Sequence, residues 1–558
     1  MDISAQDREA LPAEPQFWIP GTVQLLKKNS DGSGKLTEEI KLNPTPTTSP
    51  NDPLNWSPLR KYWHAALILF IVGLTAATSN DAGSAGDAID AELGIDYSVQ
   101  NTAAGVLFVA IGYWALLASP MPWLYGRRLQ YILCLIFSLV GAIWFSKLQS
   151  SGDLIAGQLF VGASQSCAEA LAQLSLSDLF FQHRRGTVLG LYILATSVGT
   201  FLGPLVGGFI SVTDWRWVGW GAVIVSAVTL VVFYFGLEET TFNREIFLGR
   251  RLEGESNTNS HTSVPDGDEK PKGISSGSTT NVISESSHIA NVPYTSVEDP
   301  PKSYRQRIAL ITRSPNTRGL GFKQYFMRIW HTLRIFAFPA VLFSGLQWGA
   351  QDAWLSFYIT TQDTSYYDDP YNYGDEAVAI MNVPTLIGAV IGCIYGGWFS
   401  DIFVKWCARR RGGVSEAEDR LWLLLASAVI NPAGLMLFGI GTANGLDWPA
   451  TYVGLGFIGF GWGCSGDLAL AYLMDVYPDM VLEGMVGVAV INNSLACIFT
   501  FVCSIWLDNS GTANTFIAIG VLSAFFQLLT IPMLIWGKDF RRWTLPGYTK
   551  FLYLRDGM

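Results

Sequence analysis

Charged side chains are nearly absent from twelve stretches of about eighteen residues or more, and no other property of the sequence limits its fold so tightly. A helix rising about 1.5 Å per residue needs about 20 apolar residues to cross about 30 Å of hydrocarbon. Soluble domains do not repeat that pattern along one chain of 558 residues. The predicted fold class is an all-α membrane protein whose twelve transmembrane helices form two pseudo-symmetric six-helix bundles. The first six spans are expected at Tyr62 to Ala82, Gln100 to Leu124, Leu129 to Phe145, Leu154 to Ser177, Thr187 to Val212 and Trp217 to Leu237. The second six are expected at Ile335 to Thr360, Ala377 to Phe399, Leu421 to Gly441, Trp448 to Met474, Met485 to Trp506 and Thr515 to Trp536.

Basic residues near span ends are retained on the cytosolic side. With both termini inside, the outer loops hold only Lys147 and Arg216 of the 36 lysines and arginines, and one span fewer would break the alternation. The expected location is a membrane, read as the plasma membrane, with both tails cytosolic. The outer loops are acidic: Asp87, Asp90, Glu92 and Asp96 follow the first span, and Asp363, Asp368, Asp369, Asp375 and Glu376 follow the seventh. They form either a solvated face or a cation-attracting vestibule. No cleavable leader is expected, because the first apolar run is already a full span. The seven cysteines read as small buried apolar residues without metal-ligand spacing, and neither cofactor nor metal is expected.

The chain divides into a disordered cytosolic tail (1–57), a six-helix bundle (58–237), a cytosolic central loop (238–334), a second six-helix bundle (335–537) and a C-terminal tail (538–558). Within the loop, Glu253 to Asn291 has too little apolar surface to offset the entropy of ordering, so disorder is predicted there. The loop then turns basic from Lys302 to Arg328, with Tyr304, Phe322, Tyr325, Phe326 and Trp330 interleaved. Because this segment abuts the seventh span, it predicts an amphipathic stretch lying on anionic lipid rather than a nucleic-acid site.

Two halves split by a long loop are a common design of secondary transporters, which place substrate between the bundles. Gly126, Arg127 and Arg128 follow the second span, and Gly397, Asp401, Arg409, Arg410 and Arg411 follow the eighth. In the fifth span Gly199, Gly203, Pro204, Gly207 and Gly208 stand in the run from Gly199 to Gly208. These residues resemble the loop and fifth-helix motifs of the major facilitator superfamily, specifically its fungal drug:proton antiporter-like branch, which includes multidrug and polyamine-type transporters. The resemblance runs from about Asp52 to Trp543. It departs at Ser119 and Trp123, where the family carries glycine and aspartate, and at Gln158, where its antiporters often carry arginine. The loop arginines serve either gating or topology, and Asp401 is expected to pair with nearby arginines or to cap a helix end. The small residues and Pro204 clear and bend a packing groove.

The resemblance implies that spans 1, 4, 7 and 10 line a central cavity, and each carries one acid: Asp81, Glu169, Asp352 and Asp467. Intramembrane carboxylates are costly enough to make each a functional candidate, either exchanging a proton or holding a cationic group of the substrate. Asn80, Gln347, Trp348, Gln351, Tyr472, Asn492 and Asn493 are candidates to complete the cavity. The function expected is secondary active transport of a small organic molecule by alternating access. Proton-coupled export of a secondary metabolite or xenobiotic stands first, and uptake of organic cations such as polyamines second. Expected partners are that substrate, cationic in one reading, with protons and the lipid bilayer; no nucleic acid is expected, and the chain is read as a monomer. No phosphate-binding loop, paired Asn-Pro-Ala half-helices or His-Glu-x-x-His pattern favours a pump, channel or membrane enzyme. A non-transporting sensor on a transporter fold is the remaining alternative of another class.

Overall fold

The computed structural model describes residues 19–30, 36–40, 42–242, 244, 300–314 and 317–556. The segment predicted to be disordered, 253–291, lies outside them. The first bundle comprises α1 (Pro58–Thr78), α2 (Tyr97–Ala118), α3 (Arg127–Ser146), α4 (Ser151–Ser166 continuing to Leu179), α5 (Arg185–Ser197 continuing to Asp214) and α6 (Arg216–Gly236). The second comprises α7 (Pro339–Ser365), α8 (Asp375–Ile380 continuing to Arg410), α9 (Leu421–Ala443), α10 (Trp448–Val476), α11 (Val481–Ser510) and α12 (Thr512–Leu528, prolonged by Thr530–Asp556).

Among the described residues, ten helical runs are long and apolar enough to span a membrane, and the bent pair Phe322–Ala337 and Pro339–Ser365 makes up to eleven. The twelfth, α4, is helical throughout but carries Gln158, Gln165 and Glu169 along its length. Polar groups thus gather in the helix that has most to do with the site described below.

Local chemistry sets several boundaries differently from the sequence expectation. The seventh span begins at Pro339 rather than Ile335, because Leu333–Ala337 forms a tight 3-10 turn and proline, lacking an N–H, suits a helix start. Before that turn, Phe322–Thr332 forms an amphipathic helix with Phe322, Phe326 and Trp330 exposed together, and the whole run Phe322–Ala337 is bent 84° from α7. That geometry matches a helix lying in a lipid interface. The first span ends at Thr78 rather than near Ala82, so Asp81 falls on the separate short helix Asp81–Ser84. The eighth span runs on past Phe399 to Arg410, and residues 538–556 are helical, with Pro546 inside the helix.

Small residues bring the helices close. A Cβ on Gly203 of α5 would stand 2.9 Å from the Ala77 Cα of α1, nearer than real contacts allow. The sequence motif therefore packs α5 on α1, as interhelical small-residue stripes do in membranes. Its last member, Gly208, instead faces Ala379 of α8 in the other bundle.

Part of the N-terminal tail is ordered. Strand β1 (Thr22–Gln24) pairs antiparallel with β4 (Val414–Glu416), in the α8–α9 loop, and β2 (Leu26–Ser30) pairs with β3 (Leu36–Ile40). The Arg541 guanidinium donates to the Pro20 carbonyl at 2.6 Å and to Thr22 Oγ1 at 3.0 Å. Further along, the Gln182 N–H donates to the Asn43 carbonyl at 2.8 Å, so the tail touches both bundles on one face. That face is called the tail face below.

Candidate functional site

Helix α4 does not run straight through the bundle. Cys167–Leu171 forms a π turn, an extra-residue bulge that frequently marks functional positions, and Glu169 sits in its middle. Its side chain remains partly accessible, as does that of Asp352 on α7. Asp352 is the charged group near enough to Glu169 to act on it electrostatically, and Tyr192 of α5 lies within the field of both. The Trp462 indole of α10 donates to Asp352 Oδ1 at 3.1 Å. That indole packs against Trp348 of α7, with ring centres 4.7 Å apart, and against Phe201 of α5 at 5.7 Å. One carboxyl from each bundle thus lies within electrostatic reach of the other, beside aromatic rings from both bundles. Such a site can hold a cationic group or exchange protons.

The other two candidate acids lie elsewhere, which corrects the expectation of four around one cavity. Asp81 lines a small pocket within the first bundle, together with Asp153 and Gln158. Asp467 is fully buried at the seam between α10, α5 and α8, and neither of its carboxylate oxygens has a hydrogen-bond partner among the described residues. A Cβ at Gly190 or Gly397 would stand 2.9 Å from its Oδ2, so only glycines fit around it. The reason is geometric: spans 1, 4, 7 and 10 were assigned to one cavity by span number, whereas depth along each helix decides which acids meet.

Between Asp467 and the tail face lies a charge network joining the bundles. Arg420, at the start of α9, donates to Asp401 Oδ1 at 2.9 Å and to Asp475 Oδ2 at 2.8 Å. From the first bundle, Arg185 reaches Asp475 Oδ1 at 2.9 Å. Asp401 also caps the start of α5, accepting from the Gly186 and Thr187 N–H groups at 3.1 and 2.8 Å and from Thr187 Oγ1 at 2.7 Å. A carboxylate at a helix N-terminus is favoured by both its free N–H groups and the helix dipole.

Arg409, Arg410 and Arg411 are not the arginines that pair with Asp401. Arg411 pairs with Asp419 at 2.7 Å, and Arg410 lies over the Trp406 ring. Helix α8 runs straight on past Asp401 and carries these three away from it. Arg420 and Arg185 went unnoticed in the sequence, although each basic residue stands at the opening turn of a span.

In the first bundle the departures from the family motif find local replacements. Gly126, at φ +94°, turns the chain into α3, and the Arg127 and Arg128 N–H groups each donate to the Glu239 carboxylate at 3.1 Å. Arg127 also forms an ion pair with Asp178. Trp123, standing where an aspartate was expected, receives Arg555 of the C-terminal helix 4.9 Å from its ring centre.

The remaining candidates divide between lining and packing. Asn80 lines a cavity between the bundles on the face away from the tails. Gln347 is tied to the Phe526 carbonyl at 2.6 Å, Gln351 accepts from Asn431 at 2.8 Å, and Asn493 donates to the Ala489 carbonyl at 2.8 Å. Tyr472 is buried edge-on to Phe343, and Asn492 is buried on α11.

Comparison with known proteins fits this architecture. The family profile described as Major Facilitator Superfamily matches residues 65–501. An uncharacterized MFS-type transporter of Schizosaccharomyces pombe is 50% identical over 552 residues, covering 96% of this chain and 95% of the relative. Protein HOL1 of Saccharomyces cerevisiae is 48% identical over 576 residues, covering 97% and 98%. The solved structure of the proton:xylose symporter XylE superposes with a TM-score of 0.54 over 86% of this chain and 97% of that one, at 10% identity.

Proposed function

The chain belongs to the major facilitator superfamily, and from that premise we propose that it carries a small organic cation across the membrane by alternating access, with Glu169 and Asp352 as the central binding pair. The observation that carries the reading is that these two carboxyls, one from each bundle, lie within electrostatic reach of each other, with Asp352 held by Trp462 beside Trp348 and Phe201. Indole and phenyl faces attract ammonium groups, and paired acids complement them in charge. These carboxyls hold the cation, while Asp467, buried with both oxygens unmatched among the described residues, carries the coupling proton as the site turns from one face to the other. The excess of basic residues at the tail face supports a cytosolic assignment for both tails, and the plasma membrane is the location proposed.

The tail-face network supports a state closed toward the tails, with Arg420, Asp401, Asp475 and Arg185 as its gate. Export of a secondary metabolite or xenobiotic is the second reading, favoured by the Gly199 to Gly208 motif of α5. Vesicles holding the purified protein and an imposed pH gradient distinguish the two. Labelled spermidine and a panel of neutral amphiphiles would be offered on either side, with an uncoupler as control. Glu169→Gln is expected to abolish flux while protein level and unfolding temperature stay normal. Unchanged flux in that variant would remove the central pair from the mechanism.

A further inference from the structure

The ordered part of the N-terminal tail crosses the tail face from one bundle to the other. Its first stretch, the strap, is fixed to the second bundle. There β1 lies on β4, the Ala417 N–H donates to the Gly21 carbonyl at 3.0 Å, and the Leu25 and Leu26 N–H groups donate to the Gly413 carbonyl at 2.9 and 3.1 Å. Leu25 and Leu26, each 6% exposed, pack with Ala408 of α8. The other end is fixed to the first bundle, where the Asn43 amide donates to Gln182 Oε1 at 2.6 Å and the Asn43 carbonyl accepts from the Gln182 N–H at 2.8 Å. The strap also lies against the charge network, because Val23 and Leu25 line one small cavity with Asp401, Arg420, Asp475 and, from the first bundle, Gln182.

Between the two anchors the chain forms a hairpin. Strands β2 and β3 pair from Leu26 opposite Ile40 to Ser30 opposite Leu36, and among the described residues neither pairs with another strand. While they are paired, the path from Leu26 to Asn43 is one step of about 5 Å across the ladder followed by residues 41–43, at most about 15 Å in all. With the ladder broken, the same ends are joined by the whole of residues 27–43, which can reach about 55–60 Å. A two-stranded hairpin by itself is only marginally stable in water. The register here sets Lys27 and Lys28 opposite Glu39 and Glu38, a charge pattern that salt weakens.

We propose that the N-terminal tail is a tether with two lengths across the tail-face gate. With the hairpin paired, it links the bundles over a short path, limits their separation and favours the state closed at the tail face. With the hairpin open, it lengthens and releases them. A strap that only covered the α8–α9 loop would need the anchor on Gly413 and Ala417 alone, whereas the Asn43 pair with Gln182 closes the path onto the other bundle. The tether rests on the reading of the charge network as a gate, and it adds to that gate a control lying outside the membrane spans.

The test is hydrogen exchange on full-length protein in nanodiscs. The Gly186 and Thr187 N–H groups of the first bundle donate to Asp401 of the second, so their exchange reports opening at the tail face directly. The Arg127 and Arg128 N–H groups, held by Glu239 on the same side of the bundle boundary, are the control. Asn43→Ala removes the side-chain bond to Gln182 and is expected to speed exchange at Gly186 and Thr187 about fivefold, with the control amides and the unfolding temperature unchanged. Lys28→Cys with Glu38→Cys places two thiols at opposed register positions, and the native cysteines are all buried, so oxidation acts on the introduced pair. The oxidised protein is expected to exchange several-fold more slowly at Gly186 and Thr187 than the same protein reduced. Equal exchange in the two redox forms overturns the proposal, and so does a pair that cannot be oxidised, which removes the hairpin. Exchange that rises in Asp475→Asn and not in Asn43→Ala leaves the gate standing and overturns the tether. Exchange that responds to the tail variants and not to Asp475→Asn keeps the tether and removes that network as the gate.

Discussion

Asp352 and Asp467 show how differently two intramembrane acids can be used. Asp352 is partly accessible and held by one indole N–H, whereas Asp467 is sealed among glycines with both oxygens unmatched. Hydrogen bonds to charged groups contribute about 1.5–3 kcal/mol. Trp462→Phe, which keeps the ring and removes the donor, is therefore expected to raise the KM for a transported cation roughly tenfold or more, read in vesicle flux. Asp467→Asn keeps the shape of a side chain with no room to move. It is expected to retain exchange of labelled for unlabelled substrate while losing accumulation driven by a pH gradient; a variant that still accumulates substrate would make Asp467 a packing residue. The sequence revealed both acids, because a carboxyl in an apolar span stands out. It could not reveal which of them meet, since that depends on the π turn at Glu169 and on depth along each helix. Nor did it mark Arg420, whose partners Asp401 and Asp475 lie 19 and 55 residues away along the chain.

Among the elements, the twelve spans were legible almost throughout because hydropathy is a local property, and their ends were less so because caps, prolines and turns decide them. Helix α4 carries four amides or acids through the membrane, Gln158, Gln165, Glu169 and Gln173, and α7 is long and apolar enough to span only together with the bent segment before it; these two supply the central pair. The tail strap was illegible, because β1 makes its ladder with a loop some 390 residues away. Its anchor is Arg541, 1% exposed, which reaches Glu416 at 2.8 Å and Glu418 at 2.6 Å as well as the strap itself. Removing one partner of a buried charge group costs about 3–5 kcal/mol. Arg541→Met is thus expected to lower the unfolding temperature and to expose residues 20–25 to protease and hydrogen exchange. Protection equal to the wild type's would show that the β1–β4 pairing holds the strap without Arg541.

At the scale of the whole molecule, two bundles that rock against each other need a latch weak enough to open and specific enough to close. Asp475 fills that place, because its two oxygens are shared between Arg185 of one bundle and Arg420 of the other. Asp475→Asn keeps the volume and removes the charge both arginines use, while Asp401 continues to cap α5. Arg420 meets Asp475 within the second bundle in either state, but the Arg185 contact belongs only to the state closed at the tail face, so its loss should move the balance toward the state open there by about 2 kcal/mol, or roughly thirtyfold. Arg411 offers the matched control. Its pair with Asp419 lies within one bundle, so it is made in both states, and Arg411→Ala should leave the balance where it was. Fluorescence transfer between labels placed on the tail-face ends of α5 and α8 reads the distance directly. A longer distance in Asp475→Asn alone identifies the network as the gate; the same lengthening in Arg411→Ala would mean that the basic residues of this face act through general charge, as topology signals rather than as a latch.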